Sequence, residues 1–176
     1  MDAAGVSQAF EQHRDSVYRF TLGLTANTAA AEDVAQECFL GLLRRPNAFD
    51  PARASLKTYL LAAARNLVFK RWRSAGVEAE LEDRFVDPNT PLSQALSAEI
   101  GDIVERAVLE LPPLQRESLL LFEWEGLSLD DIAQVCCVEP GTVKSRLFRA
   151  RESLKLSLAP YRDLLANRSS HGTTQR

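Results

Sequence analysis

Between Lys144 and Lys155 the chain carries five basic residues, Lys144, Arg146, Arg149, Arg151 and Lys155, against one acid, Glu152. On a helix, Lys144, Ser145, Phe148, Arg149 and Arg151 gather toward one side. Leu147, Ala150 and Leu154 take the i, i+3, i+7 spacing of a buried stripe. Such a helix packs by one face and offers fork-shaped arginine donors by the other. It is equipped to enter a DNA major groove and meet guanine edges and phosphates. The residues before it complete a helix-turn-helix pattern. Ser128-Leu-Asp-Asp131 fits a capping box, and Leu129, Ile132, Ala133 and Val135 are the apolar positions of a short helix. Cys136-Cys137-Val138 make the turn, and Pro140 opens the second helix where its missing N–H is harmless. A basic amphipathic helix can also be no more than a solvated surface helix. The matched lengths of helix, turn and helix favour DNA binding.

The chain has 176 residues, 45% hydrophobic and 26% charged, enough for one domain or two small ones. No apolar run approaches a membrane span, and the N-terminus lacks a basic-then-apolar leader, so a cytoplasmic protein is expected. Cys38, Cys136 and Cys137 form no disulfide framework, and neither His13 nor His171 lies near the vicinal pair in sequence. Small turn and core residues are the better reading of the cysteines, with no metal and no cofactor expected.

A net charge of −3 sits oddly with DNA binding until its distribution is read. Residues 1–74 hold ten Lys/Arg against seven Asp/Glu, residues 75–98 one against five, and residues 99–176 ten against twelve. Nothing acidic lies between Asp50 and Glu78, an interval holding Arg53, Lys57, Arg65, Lys70, Arg71 and Arg73. Two basic patches are thus joined by an acidic segment. The overall acidity predicts weak unassisted binding, because nonspecific affinity is mostly phosphate neutralisation.

The periodicity is helical throughout, with no convincing alternation of period two. A first helix is expected over about Ser7–Leu24, with Phe10, Val17, Leu22 and Leu24 in the core. A second starts at Asn27-Thr28, with Glu32-Asp33 in its first turn, buries Val34, Cys38 and Leu42, and stops at Pro46-Asn47. After a loop, Ser55 caps a third helix to about Arg73, buried through Leu56, Leu60, Ala63 and Leu67. Gly76, Pro88 and Pro91 among acids mark residues 75–96 as a flexible linker. Helices resume near Ser97, with Ile100, Ile103, Val104, Ala107 and Leu111 on one face. Pro113 opens another helix, which runs to Gly126 as a C′ residue. Pro160 ends the recognition helix region, and a polar tail occupies 161–176.

Two helical modules of this kind, one basic with an exposed loop and one helix-turn-helix, resemble regions 2 and 4 of the extracytoplasmic-function (ECF) sigma factors of bacterial RNA polymerase. Leu111-Pro-Pro, Arg116-Glu117, Glu125-Gly126-Leu127-Ser128, Asp131-Ile-Ala133 and Gly141-Thr-Val-Lys-Ser-Arg146 match the second region in order. Ala31-Glu-Asp-Val-Ala-Gln-Glu-Cys-Phe39 and Ala64-Arg-Asn66 match the first. The resemblance implies an all-α fold with region 2 over 7–74 and region 4 over 97–160. It implies a non-enzymatic subunit that recruits core polymerase, acting as a monomer within the holoenzyme. Asp33, Gln36, Glu37 and Leu40 would dock on the polymerase clamp helices. Phe49, Arg53, Asn66, Lys70, Arg71 and Arg73, with Arg65, would handle the single-stranded −10 element. Phe49 is either the wall of a base pocket or an anchor of its loop. Lys144, Ser145, Phe148, Arg149 and Arg151 would face the −35 duplex. An anti-sigma factor is an implied partner. The chain departs from the family at Tyr59, where Trp is usual, around Lys70, and at Cys137, where Gly is usual. A stand-alone helix-turn-helix regulator of duplex operators is the competing reading. An enzyme comes last, since no phosphate loop or nucleophile-His-acid set is present.

Overall fold

The structure, a computed structural model, describes residues 3–45, 47–76 and 100–162. All regular elements among them are helical. The linker expected over 75–96 lies outside the described residues from 77 onward, as does the tail from 163.

Helices α1 (Ala3–Thr25), α2 (Thr28–Arg44) and α3 (Leu56–Ser74) form the first module. Val6, Ala9, Val17, Phe20 and Leu24 make the buried stripe of α1. Phe10, expected in that core, is 39% exposed and stands edge-on to Phe39 at 5.0 Å, while Leu22 is half-buried. Phe10 falls within the angular range of that stripe, but it sits beside Val6, Phe39, Leu40 and Leu43 on an open apolar groove that no other described helix covers. Asn27 caps α2 by accepting from the Ala30 N–H at 2.9 Å. Because α2 starts at Thr28, Glu32 and Asp33 fall in its second turn, not its first. Val34, Cys38 and Leu42 are buried as expected.

Ser55 caps α3, its hydroxyl accepting from the Thr58 N–H at 3.0 Å. The buried residues of α3 are Thr58, Leu60, Leu61, Ala64, Val68 and Phe69, whereas Leu56, Ala63 and Leu67 are only half-buried. The expected stripe is rotated because α3 packs on two sides, against α1 and α2 on one and against the second module's α6 on the other.

The second module holds α4 (Ile100–Leu109), α5 (Pro113–Leu119), α6 (Leu129–Cys136) and α7 (Pro140–Leu158), followed by a 3₁₀ turn at Ala159–Tyr161. The helix opened by Pro113 does not run evenly to Gly126. It widens into a π-helical turn over Leu120–Trp124, with the Glu125 N–H donating to the Leu120 carbonyl at 3.1 Å. Gly126, at φ 65°, then closes the turn. Ser128 caps α6, accepting from the Asp131 N–H at 3.1 Å and donating to the Asp131 carboxylate at 2.6 Å. Pro140 is the first residue of α7.

The two modules are not held apart. Phe20 and Leu24 of α1, Leu60 and Leu61 of α3, and Leu120, Leu121 and Ile132 of the second module belong to one continuous core. The contacts run from α1 to α5 and the π turn, and from α3 to α6.

Cys137 ends α6 in the left-handed conformation, φ 56°, ψ 46°. A side chain there meets the following carbonyl, a strain glycine lacks. Cys137→Gly is therefore expected to raise stability by about 1 kcal/mol, read as a higher urea midpoint at unchanged m-value. A lower midpoint would mean the thiol contributes more than the strain removes.

Candidate nucleic-acid interface

At about 100° per residue, Arg151, Lys144, Phe148, Ser145 and Arg149 spread over an arc of about 160° of α7. All five are exposed, Phe148 at 67%. Val143, Arg146, Leu147 and Ala150 fill the opposite, buried arc, and Leu154 is half-buried. An exposed phenylalanine flanked by two cations and a serine suits a groove that offers thymine methyls, base edges and phosphates. Arg151 is engaged within the chain. It pairs with Glu123 at 2.8 Å and lies over the Phe122 ring at 5.2 Å.

In α3, Tyr59, Ala62, Asn66, Lys70 and Arg73 follow one another along a single stripe, by steps of three or four. Asn66, Lys70 and Arg73 are exposed. The stripe begins at the loop, where Asp50 accepts from the Ala52 N–H at 2.9 Å and its carbonyl accepts from the Arg53 N–H at 3.1 Å. Phe49 tilts against Tyr59 at 5.5 Å between centroids, so it anchors the loop and also walls a recess of about 210 Å³. Asp50, Arg53 and Ala62 share that recess, as does Gln134 of α6. The Gln134 amide donates to the Arg53 carbonyl at 3.2 Å.

Two arginines of the basic interval leave this stripe. Arg71 points to α2, where it meets Glu37 at 3.2 Å and Asp33 at 3.9 Å. A residue expected on DNA thus joins two expected on polymerase. Arg65, expected along the strand path, is 13% exposed and forks onto Glu117 through Nε at 2.7 Å and Nη2 at 3.2 Å. On α2, Asp33, Gln36, Glu37 and Leu40 do share one exposed face. Beside it Val6, Phe10, Phe39 and Leu43 form an apolar groove.

Glu117 has no exposed surface. Arg65 holds it from the first module and Arg146 of α7 from its own, the latter at 3.2 Å. Burial pushes its carboxyl above the usual range, and the two guanidiniums oppose that shift. Glu125 is a second buried carboxylate, hydrogen-bonded by Ser16 and paired with Lys57 at 3.0 Å and Arg19 at 3.2 Å. Sequence reasoning placed both acids in family motifs but gave neither a buried role. Glu117 is the one acid between Leu111 and Leu121, and Arg146 does fall between Val143 and Leu147 on the packing side of its helix. Those two misfits were the available signal.

The site defines a class first: a pair of helical modules, one presenting a helix-turn-helix to duplex DNA, the other a loop and a polar stripe. The Sigma-70 region 2 family matches residues 9–77, and Sigma-70 region 4 matches residues 101–154. The chain is 34% identical to the ECF RNA polymerase sigma factor SigE of Mycolicibacterium smegmatis, over 90% of this chain and 61% of that one. It is 30% identical to the ECF RNA polymerase sigma factor SigW of Bacillus subtilis, over 83% and 84%. The sigma factor RpoE of Bartonella quintana, solved in complex with the anti-sigma factor NepR, superposes with a TM-score of 0.69 at 27% identity. That superposition covers 87% of this chain and 96% of RpoE, more than either module alone. The chain belongs to the ECF RNA polymerase sigma factors, transcription-initiation factors that are not enzymes. No described helix is long and apolar enough to cross a membrane.

Removing one partner of a buried pair strands the other charges. Glu117→Ala is expected to lower stability by about 3–5 kcal/mol, against under about 1 kcal/mol for Glu123→Ala in its exposed pair with Arg151. Chemical denaturation of both variants checks the contrast, and equal losses would remove Glu117 from its central place. The thiols give a second check. Burial pushes Cys38 up to about 12, and Cys136 is raised by burial and by the Glu117 charge beside it, while Cys137 is exposed. Thiolate is the reacting form, so at pH 8 one thiol, Cys137, should alkylate quickly and the other two only on unfolding. Peptide mass mapping shows which.

Proposed function

We propose that this chain directs core RNA polymerase to promoters by reading a −35 element as duplex through α7 and a −10 element as single strand through the loop and α3. The observation that carries the reading is the exposed arc of α7, whose cations and Phe148 face outward because Arg146 is tied inward to Glu117. Lys144, Ser145, Phe148 and Arg149 supply the −35 contacts, with Arg151 at the margin. Phe49 and Arg53 take a flipped base in the recess, Asn66 reads its edge, and Lys70 and Arg73 follow the strand backbone. Arg71 serves this surface indirectly, through its pairs with Asp33 and Glu37. The exposed face of Asp33, Gln36, Glu37 and Leu40 docks on polymerase. The protein acts in the cytoplasm, as a monomer within the holoenzyme. An anti-sigma factor, the partner seen with RpoE, holds it when transcription is not required. The stand-alone regulator gains nothing from relatives that are sigma factors over both modules.

Reconstitution with core polymerase tests the reading. Transcripts should start from a specific promoter only when both components are present. Arg149→Ala should cost about 1–3 kcal/mol of −35 discrimination if it reads a guanine. Lys144→Ala should weaken all sequences alike and reduce the salt slope by about one unit. If neither change alters −35-dependent transcription, α7 is not the reading helix.

A further inference from the structure

We propose that free chains of this protein pair with a second copy of themselves through α2, the two helices lying antiparallel about Leu40. The pairing rests on the shape and charge of α2, and its consequence for polymerase rests on the docking reading above. The face used is the same.

At about 100° per residue, Leu43, Gln36, Leu40, Asp33, Arg44 and Glu37 follow one another across an arc of about 120° of α2. All six are exposed, Leu40 at 45% and Leu43 at 50%. Helices α1 and α3 pack on the other sides of α2, so no described element covers this arc. On its α1 side, Val6 and the partly exposed Phe10 extend the apolar surface into a groove of about 340 Å³. Leu40, Leu43 and Phe10 thus form one strip, which singly scattered surface side chains do not.

The charges along the arc say what covers it. Asp33 and Glu37 lie toward its N-terminal end, the leucines follow, and Arg44 stands in the last turn. A surface that is acidic, then apolar, then basic is complementary to itself turned end for end. A two-fold axis through Leu40 sets residues equally far before and after it against each other. Arg44 then falls opposite Gln36 of the other copy, and one residue, about 1.5 Å, from its Glu37. The flanks agree as well, because a two-fold axis across an antiparallel pair brings like flanks together. Glu37 and Arg44 both lie on the flank toward α3, where Glu37 meets Arg71. Leu43 and Gln36 both lie toward α1. Each Arg44 therefore meets the other copy's Glu37, and the two α1 grooves adjoin. Arg44 has no acid partner among the described residues, and Glu37 keeps 49% of its side chain exposed beside Arg71.

A helix of 17 residues is about 26 Å long, so this contact lies at the small end of specific interfaces. The pair is accordingly weak and concentration-dependent. Because it covers Gln36, Glu37 and Leu40, a paired chain cannot take polymerase, and polymerase draws single chains out of the pair.

Sedimentation of the full chain over a concentration series tests the pairing, with the helix content of each variant checked by circular dichroism. The parent should move from the mass of one chain toward that of two as concentration rises. L40K, R44E and E37R should each weaken pairing about tenfold or more, since each change enters a two-fold interface twice and sets like charges together. An equimolar mixture of R44E and E37R should pair as the parent does, because both cross-pairs are then opposite in charge. A purely structural effect of either change would not give that recovery. Core polymerase added to the parent should dissolve the pair and bind one chain. A parent of single-chain mass at every concentration, an unaffected L40K, or a mixture that stays weak would each overturn the pairing. A polymerase complex holding two chains would overturn the exclusion. If core polymerase binds no form, the docking reading fails, while sedimentation still decides whether the chains pair.

Discussion

A carboxylate with no exposed surface must be answered by charge, and the position of Glu117 organises much of this molecule. Two guanidiniums reach it from different helices, Arg65 from α3 and Arg146 from α7. The Arg146 pair fixes the rotation of α7 on α5 as firmly as the apolar stripe does, because an arginine at that position has nowhere else to go. With Arg146 turned inward, Lys144, Ser145, Phe148 and Arg149 are necessarily turned outward. The Arg65 pair ties the first module to the same acid. One buried charge therefore sets both the reading face of the helix-turn-helix and the relation between the two halves.

The cations are divided by that arrangement into two populations. Arg65, Arg146, Lys57 and Arg71 are committed to acids within the chain, while Lys144, Lys70 and Arg73 look outward. The division explains how a protein of net charge −3 can present basic surfaces. Over distances longer than about 8 Å exposed charges are screened, so a phosphate responds to the nearest stripe and not to the total. It also explains why exposed Arg151, in its pair with Glu123, is a weaker candidate for base contact than its place in the basic run suggests.

Most of the fold was legible before any coordinates, and the reasons are local. Ser55, Asn27, Ser128 and Pro140 start helices because their side chains or rings satisfy or omit orphan N–H groups, which needs no knowledge of neighbours. Val34, Cys38 and Leu42 follow from a single-sided helix. The reading failed where a second body intervened. The stripe of α3 is rotated because α6 covers another side, and the π turn at Leu120–Trp124 exists in a segment whose periodicity looks plainly α-helical. The burial of Glu117 and Glu125 was not legible, because their answering cations lie 29 and 52 positions away for Glu117 and 68 and 106 for Glu125. No periodicity records a partner at that separation. Arg65 and Arg71, which the resemblance assigns to the strand path, pair with acids of other helices that no periodicity records either.

The union of the modules rests on two kinds of contact. The continuous apolar core draws them together with little directional preference. A buried ion pair behaves differently: its Coulomb gain is largely offset by the desolvation of both ions, so the net contribution is small, while a mismatched geometry costs several kcal/mol. Glu117 and Glu125 therefore specify how the modules meet, and the apolar core supplies most of what holds them there.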